Sequence, residues 1–247
     1  MRIFCFSGTG NTFSIAKTIS KHFSVEAELI TNFKDKNIIE ITDSEIGIFA
    51  PVYLNDIPKN VKDFILKFSF INNNAYVFTV LTSSSGKNKH GFKNVNISLA
   101  QHNAKLALAY DISMPSSFQK RDDMDSVLKA VPLKITKIIE AIEKKQENYT
   151  SDGSTVLPKN FTKLSVMHRP LSRMTITEKC RGCGLCCKLC PLSNISIQNG
   201  KAVRSKNCIA CAACANWCPQ HAINSRMLKG QYHHPEVSAT DLLPIQK

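Results

Sequence analysis

Between Cys180 and Pro219 the sequence carries one cysteine spacing twice. Cys180, Cys183, Cys186 and Cys190 run into Pro191 as C-x2-C-x2-C-x3-C-P, and Cys208, Cys211, Cys214 and Cys218 run into Pro219 in the same way. Three thiolates two residues apart can wrap one face of a cubic iron-sulfur cluster, while the fourth, beside a proline, is turned away and ligates the partner cluster. On that reading Cys180, Cys183, Cys186 and Cys218 hold one cube, and Cys208, Cys211, Cys214 and Cys190 hold its twin. Zinc and disulfides are the competing readings. Zinc knuckles pair two C-x2-C units and require neither a third cysteine nor a proline in each half. Disulfides need an oxidising compartment, and nothing else in the chain points to one.

At these positions the stretch resembles bacterial dicluster ferredoxins, over residues 175 to 229. The resemblance implies two [4Fe-4S] clusters and one-electron transfer. Cys187, beside Cys186, is an extra cysteine, read either as a small apolar filler or as a substitute ligand. Between the half-motifs, residues 194 to 199 alternate as a strand does, and Asn199-Gly200 is a hairpin turn signal. A closing strand is expected over residues 220 to 223, with Ile195, Ile197, Val203, Ile209 and Ile223 packed around the clusters.

With 247 residues there is room for one ordinary domain and this small one. Nine of the ten cysteines lie between positions 180 and 218, so the rest of the chain is as poor in cysteine as a cytoplasmic protein. No secretory leader is visible, and no run reaches the roughly 20 apolar residues of a membrane span. The formal charge is +13. Two clusters and a flavin phosphate would bring it to about +7. Residues 1 to 150 have 19 basic and 15 acidic side chains, and residues 171 to 247 have 10 and 3. Such a surface could steer an acidic redox partner protein, or stand as a merely solvated face. No nucleic-acid-binding motif accompanies it.

The chain begins with a short buried strand, Arg2 to Phe6, that runs into Ser7-Gly8-Thr9-Gly10-Asn11-Thr12 and then a helix with Ile15, Ala16 and Ile19 on one side. A strand turning through glycines and hydroxyl residues into a helix gathers backbone N–H groups around one point, a cradle for phosphate. Neither a Walker loop nor a dinucleotide fingerprint is present. The loop is similar to the S/T-x-T-G-x-T signature of flavodoxins, which implies FMN held through Ser7, Thr9, Gly10, Asn11 and Thr12. A strand at residues 45 to 50 leads into Pro51, Val52, Tyr53 and Leu54 at the same sheet edge, with Tyr53 placed to meet the flavin ring. Residues 59 to 68 read as a helix with Val61, Phe64, Ile65 and Phe68 inward, and residues 75 to 81 as a strand delivering Thr82, Ser83 and Gly86 to the flavin. A helix over residues 92 to 103, a fifth strand over 105 to 112, and a helix over 124 to 146 that Pro132 could break follow, with residues 114 to 118 bordering the flavin. A weak strand near residues 26 to 30 completes an α/β, flavodoxin-like parallel sheet of order 2-1-3-4-5.

The expected organisation is a flavodoxin-like domain over residues 1–147, a connector over 148–174 with a short helix near 161–167, a dicluster ferredoxin domain over 175–230, and a tail over 231–247 with no metal pattern. Together these resemble the EFR-type ferredoxin family, in which the two carriers share one chain. The resemblance implies an electron-transfer protein with FMN and two [4Fe-4S] clusters, linking one-electron and two-electron partners. The alternative is an FMN-dependent reductase of a small quinone or nitro compound, although no acid-base pair or nicotinamide fingerprint accompanies the flavin loops.

Overall fold

In the computed structural model, which describes residues 1–71, 74–86, 88–119, 122–152 and 173–245, the apolar runs of the first lobe make seven strands. These are β1 (Arg2–Cys5), β2 (Ala27–Leu29), β3 (Ile39–Ile41), β4 (Glu45–Pro51), β5 (Phe68–Phe70), β6 (Tyr76–Ser83) and β7 (Leu106–Ser113). Five of them form a parallel sheet of order β2-β1-β4-β6-β7. Counting only those five, the order is 2-1-3-4-5, compatible with the expected core. β4 and β6 are buried along nearly their whole length, as parallel strands covered on both faces by helices must be. Helix α1 (Asn11–His22) buries Ile15, Ala16 and Ile19 against the sheet.

Three expectations shift. β3 and β5 pair with each other in a separate parallel ribbon, which single-residue alternation over three positions is too short to announce. Phe68 therefore leaves the helical stripe: α2 (Lys59–Ile65) ends one turn early and Phe68 enters β5, yet stays buried with its ring 5.5 Å from Phe4 and 5.1 Å from Phe64. Helix α3 (Lys89–Ala100) starts and stops earlier than its apolar spacing suggests. The last helical run divides into α4 (Met124–Lys129) and α5 (Val131–Glu143), with Pro132 in the first turn of α5. Proline lacks an N–H and crowds the carbonyl four residues earlier, so it opens a helix more readily than it continues one.

The cysteine-rich segment contains two antiparallel pairs. β8 (Met174–Ile176) lies beside β11 (Ile223–Ser225), so the closing strand begins where it was expected to end. β9 (Ile195–Gln198) pairs with β10 (Lys201–Arg204) through Asn199 and Gly200, whose φ of 48° and 72° make the expected hairpin turn. The helix anticipated near residues 161–167 lies outside the described residues. Among those described, no helix is long and apolar enough to cross a membrane.

Candidate functional site

The carboxyl ends of β1, β4, β6 and β7 open on one cavity of about 780 Å3, mouth included. Ser7, Thr9, Asn11, Thr12, Pro51, Val52, Tyr53, Leu54, Thr82 and Ser83 line it, with residues 114–118 forming a further wall. Gly10 and Gly86 do not line it. Gly10 is the N-cap of α1 at φ 90°, and Gly86 at φ 60° turns the loop after β6, donating its N–H to Ser83 Oγ at 3.0 Å. The loop after β4 is a tight turn in which Tyr53 and Asp56 exchange backbone hydrogen bonds of 2.9 and 3.2 Å, with Leu54 and Asn55 both left-handed. Asp56 anchors that turn, accepting from Asn94 Nδ2 at 2.6 Å and from the Lys62 ammonium.

No residue lining the cavity carries a charge, and Tyr53 is its one titratable group among the described residues. Burial, reinforced by Cys211, raises the Tyr53 phenol well above its ordinary pKa, so the hydroxyl keeps its proton. The polar side chains bond to one another: Thr12 and Thr82 share a hydrogen bond of 2.8 Å, Thr9 and Ser117 one of 3.1 Å, and Ser7 Oγ accepts from Gly10 N–H at 3.1 Å. In each hydroxyl pair one proton remains to be donated elsewhere. Helix α1 has no side-chain cap, so its first-turn amides await an acceptor.

The eight motif cysteines surround two further cavities. One is lined by Cys190, Cys208, Cys211 and Cys214, and the other by Cys180, Cys183, Cys186 and Cys218. Each takes three thiols from one half-motif and the fourth from the other. Backbone N–H groups of Ala202 and Ala222 donate to Cys180 and Cys218 sulfurs at 3.3 Å, and those of Asn194 and Ala210 to Cys190 and Cys208 at 3.2 and 3.4 Å. Burial pushes the Cys186 and Cys211 thiols up to about 12 and Cys214 higher still, with neighbouring cysteines adding to the effect. Thiolates gathered this closely would repel one another unless a cationic group lay between them. Among the described residues, no three His, Cys, Asp or Glu side chains form a group able to hold a single metal ion.

Ile195 and Ile223 are buried beside these cavities, and Ile209 lines the first. Ile197 lines the second cavity on the ribbon face it shares with Ala202, although it is 39% exposed, whereas Val203, opposite Ser196 on the other face, is 41% exposed and does not pack at either cavity as expected. Cys187 lines neither four-thiol cavity; it hydrogen-bonds Cys186 and borders a cleft with Lys34 and Lys188.

Residues that carry no motif join the cysteine segment to the large cavity. Trp217 Nε1 donates to the Gly8 carbonyl at 2.9 Å, and Asn216 Nδ2 to the Ser117 carbonyl at 3.0 Å. The tail is a strap: Tyr232 donates its hydroxyl proton to Asn11 Oδ1 at 2.6 Å and its N–H to Asn216 Oδ1 at 2.7 Å, and His234 N–H donates to the Thr9 carbonyl at 2.8 Å. His233 stacks on Trp217 with ring centroids 4.2 Å apart. Gly8 is pressed against the cysteine segment so closely that a Cβ there would lie 2.6 Å from the Cys211 carbonyl oxygen and 3.1 Å from the Tyr53 hydroxyl. Gly8→Ala is therefore expected to destabilise the fold by about 1–3 kcal/mol through overpacking against main chain. It should also red-shift the emission of Trp217, the single tryptophan. Unchanged emission and an unchanged urea midpoint would contradict this close approach.

No known family model matches the chain, and no curated protein matches it. Among solved structures the chain is similar to the Trp repressor binding protein from Bacillus subtilis, at 10% identity, over 60% of this chain and 99% of that one, with a TM-score of 0.33. A likeness this faint carries no argument about function.

Proposed function

We propose that the chain is an electron-transfer protein of the EFR-type ferredoxin kind, cytoplasmic, with FMN in the large cavity and a [4Fe-4S] cluster in each four-thiol cavity. The observation that carries the reading is the pair of separate cavities, each walled by four cysteines from both half-motifs, beside an uncharged, hydroxyl-rich cavity at the carboxyl ends of a parallel sheet. The cavities suit these groups. Eight crowded thiols call for a cationic core, and N–H···S hydrogen bonds stabilise sulfur as thiolate and tune its potential. The uncapped helix and the spare hydroxyl protons of the loop suit a phosphate.

When bound, clusters exchange single electrons and flavin one or two, so the chain would link one-electron and two-electron redox partners. The protein's own part is to hold and shield. Ser7, Thr9, Thr12 and the first-turn amides of α1 grip the phosphate. Tyr53 and the 114–118 loop flank the ring, and the strap keeps the cysteine segment seated on the phosphate loop. Among the described residues, a neutral lining with one firmly protonated phenol offers no general base, which favours a carrier over a reductase of small acceptors. The basic excess over residues 171 to 247 fits partner proteins with an acidic docking face.

Anaerobic reconstitution followed by iron, sulfide and flavin analysis tests the reading. The expected result is about eight irons, eight sulfides and one FMN per chain. A colourless preparation containing zinc and no flavin would overturn it.

A further inference from the structure

The two half-motifs share a backbone path but differ in the residues that follow it. In each, the residues before and after the second cysteine are left-handed: Gly182 and Gly184 have φ of 63° and 79°, and Ala210 and Ala212 have 57° and 56°. Glycine enters this region freely, whereas the Cβ of any other residue crowds its own backbone there. Gly182 must be glycine, because a Cβ would lie 2.3 Å from the Gly200 carbonyl oxygen. The second half-motif accepts strained alanines at both positions. Strain of this kind persists where the surroundings fix it, and it gathers at functional contacts.

The surroundings of the two alanines differ. Ala212 packs within the cysteine segment beside Met174, Ala215 and Ile223. Ala210 is buried too, but it lines the large cavity, the one lining residue among those described that comes from outside the first lobe. It is also next to Cys211, whose carbonyl abuts Gly8, and its own N–H donates to Cys208 sulfur. A single residue thus lines the proposed flavin site with its side chain while its N–H bonds a sulfur of the thiol cavity lined by Cys190, Cys208, Cys211 and Cys214, a cavity its neighbours Ile209 and Cys211 border.

Building on the electron-transfer reading above, we infer that Ala210 is a wall residue of the flavin site. Its methyl group meets the bound ring system and keeps water from the boundary between that site and the neighbouring thiol cavity. This contact is why alanine stands where the first half-motif has glycine. The strain is tolerated because the methyl excludes water from that contact.

Two variants of the holoprotein, Ala210→Gly and Ala212→Gly, test the inference, with FMN release followed by the recovery of flavin fluorescence on dilution. Ala210→Gly relieves backbone strain, so it should fold, yet it should weaken FMN binding about 3- to 10-fold. Ala212→Gly should leave the FMN dissociation constant within about twofold of the wild type, as expected of a site with no shared contact. Wild-type affinity in Ala210→Gly, or equal weakening in both variants, would overturn the assignment of Ala210 while leaving the flavin site standing. A wild-type chain that takes up no FMN would instead overturn the flavin reading and this inference together.

Discussion

A chain carrying Cys190→Ala and Cys211→Ala is expected to keep about four of eight irons and the electron paramagnetic resonance signal of one intact reduced [4Fe-4S] cluster. A chain carrying Cys183→Ala and Cys190→Ala is expected to keep no four-cysteine cluster. Both variants lose two thiols, and in both one loss is Cys190. They differ in whether the second loss lies in the same cavity. Cys190 and Cys211 border one cavity, so removing both leaves Cys180, Cys183, Cys186 and Cys218 complete around the other. Cys183 and Cys190 belong to the same half-motif but border different cavities, so that pair leaves each cavity one thiol short. If each half-motif held its own cluster, the two outcomes would be exchanged, and that exchange is the result that would refute the crossed assignment. Because metal ligation supplies folding energy to small segments of this kind, the second variant should also lose protection of the cysteine segment against proteolysis.

Lys62→Met should lower stability by about 3–5 kcal/mol, read from urea denaturation, and should weaken FMN binding as well. Lys62 and Asp56 are both nearly buried, their side chains 10% and 9% exposed. Methionine removes the cation and leaves the Asp56 carboxylate with Asn94 as its side-chain donor. A buried charge stripped of its partner costs more than the pair itself contributes, which sets the size of the effect. The link to flavin runs through the backbone. Asp56 closes the turn that presents Tyr53 and Leu54 to the cavity, so loosening its side chain loosens the wall. A double variant, Lys62→Met with Asp56→Leu, should recover much of the loss, since two apolar groups can replace a buried pair at little cost. A Lys62→Met protein with an unchanged midpoint would show that the pair does not anchor the turn.

The parts of this molecule legible in its sequence are those whose chemistry needs a fixed spacing. Cysteines that surround one cavity must recur at short intervals, and a loop that cradles an anion must place glycines between a strand and a helix; both patterns stand in the sequence at Cys180–Cys218 and Ser7–Thr12. The sheet order was legible for a related reason, since buried parallel strands read as unbroken apolar runs. The β3–β5 ribbon was not, because three residues support no periodicity, and Phe68 satisfies a helical stripe as well as a strand. The strap was not legible either. Its work is done by single hydrogen bonds from Tyr232 and His234, and nothing near those residues in sequence distinguishes them from an ordinary polar tail. Alanine stands against glycine at both Ala210 and Ala212 in the sequence, and only the large cavity tells the two apart.

Asn11 and Tyr232 stand 221 positions apart yet share a hydrogen bond. On a ribosome adding about 5–20 residues each second, the loop at the start of the chain emerges long before the residue that fastens it. The first lobe can collapse on its own sheet meanwhile, but Asn11 lacks this partner until residue 232 has left the exit tunnel. Seating of the cysteine segment on that loop is thereby a late event in synthesis, set by the distance along the chain between the two residues that clasp each other.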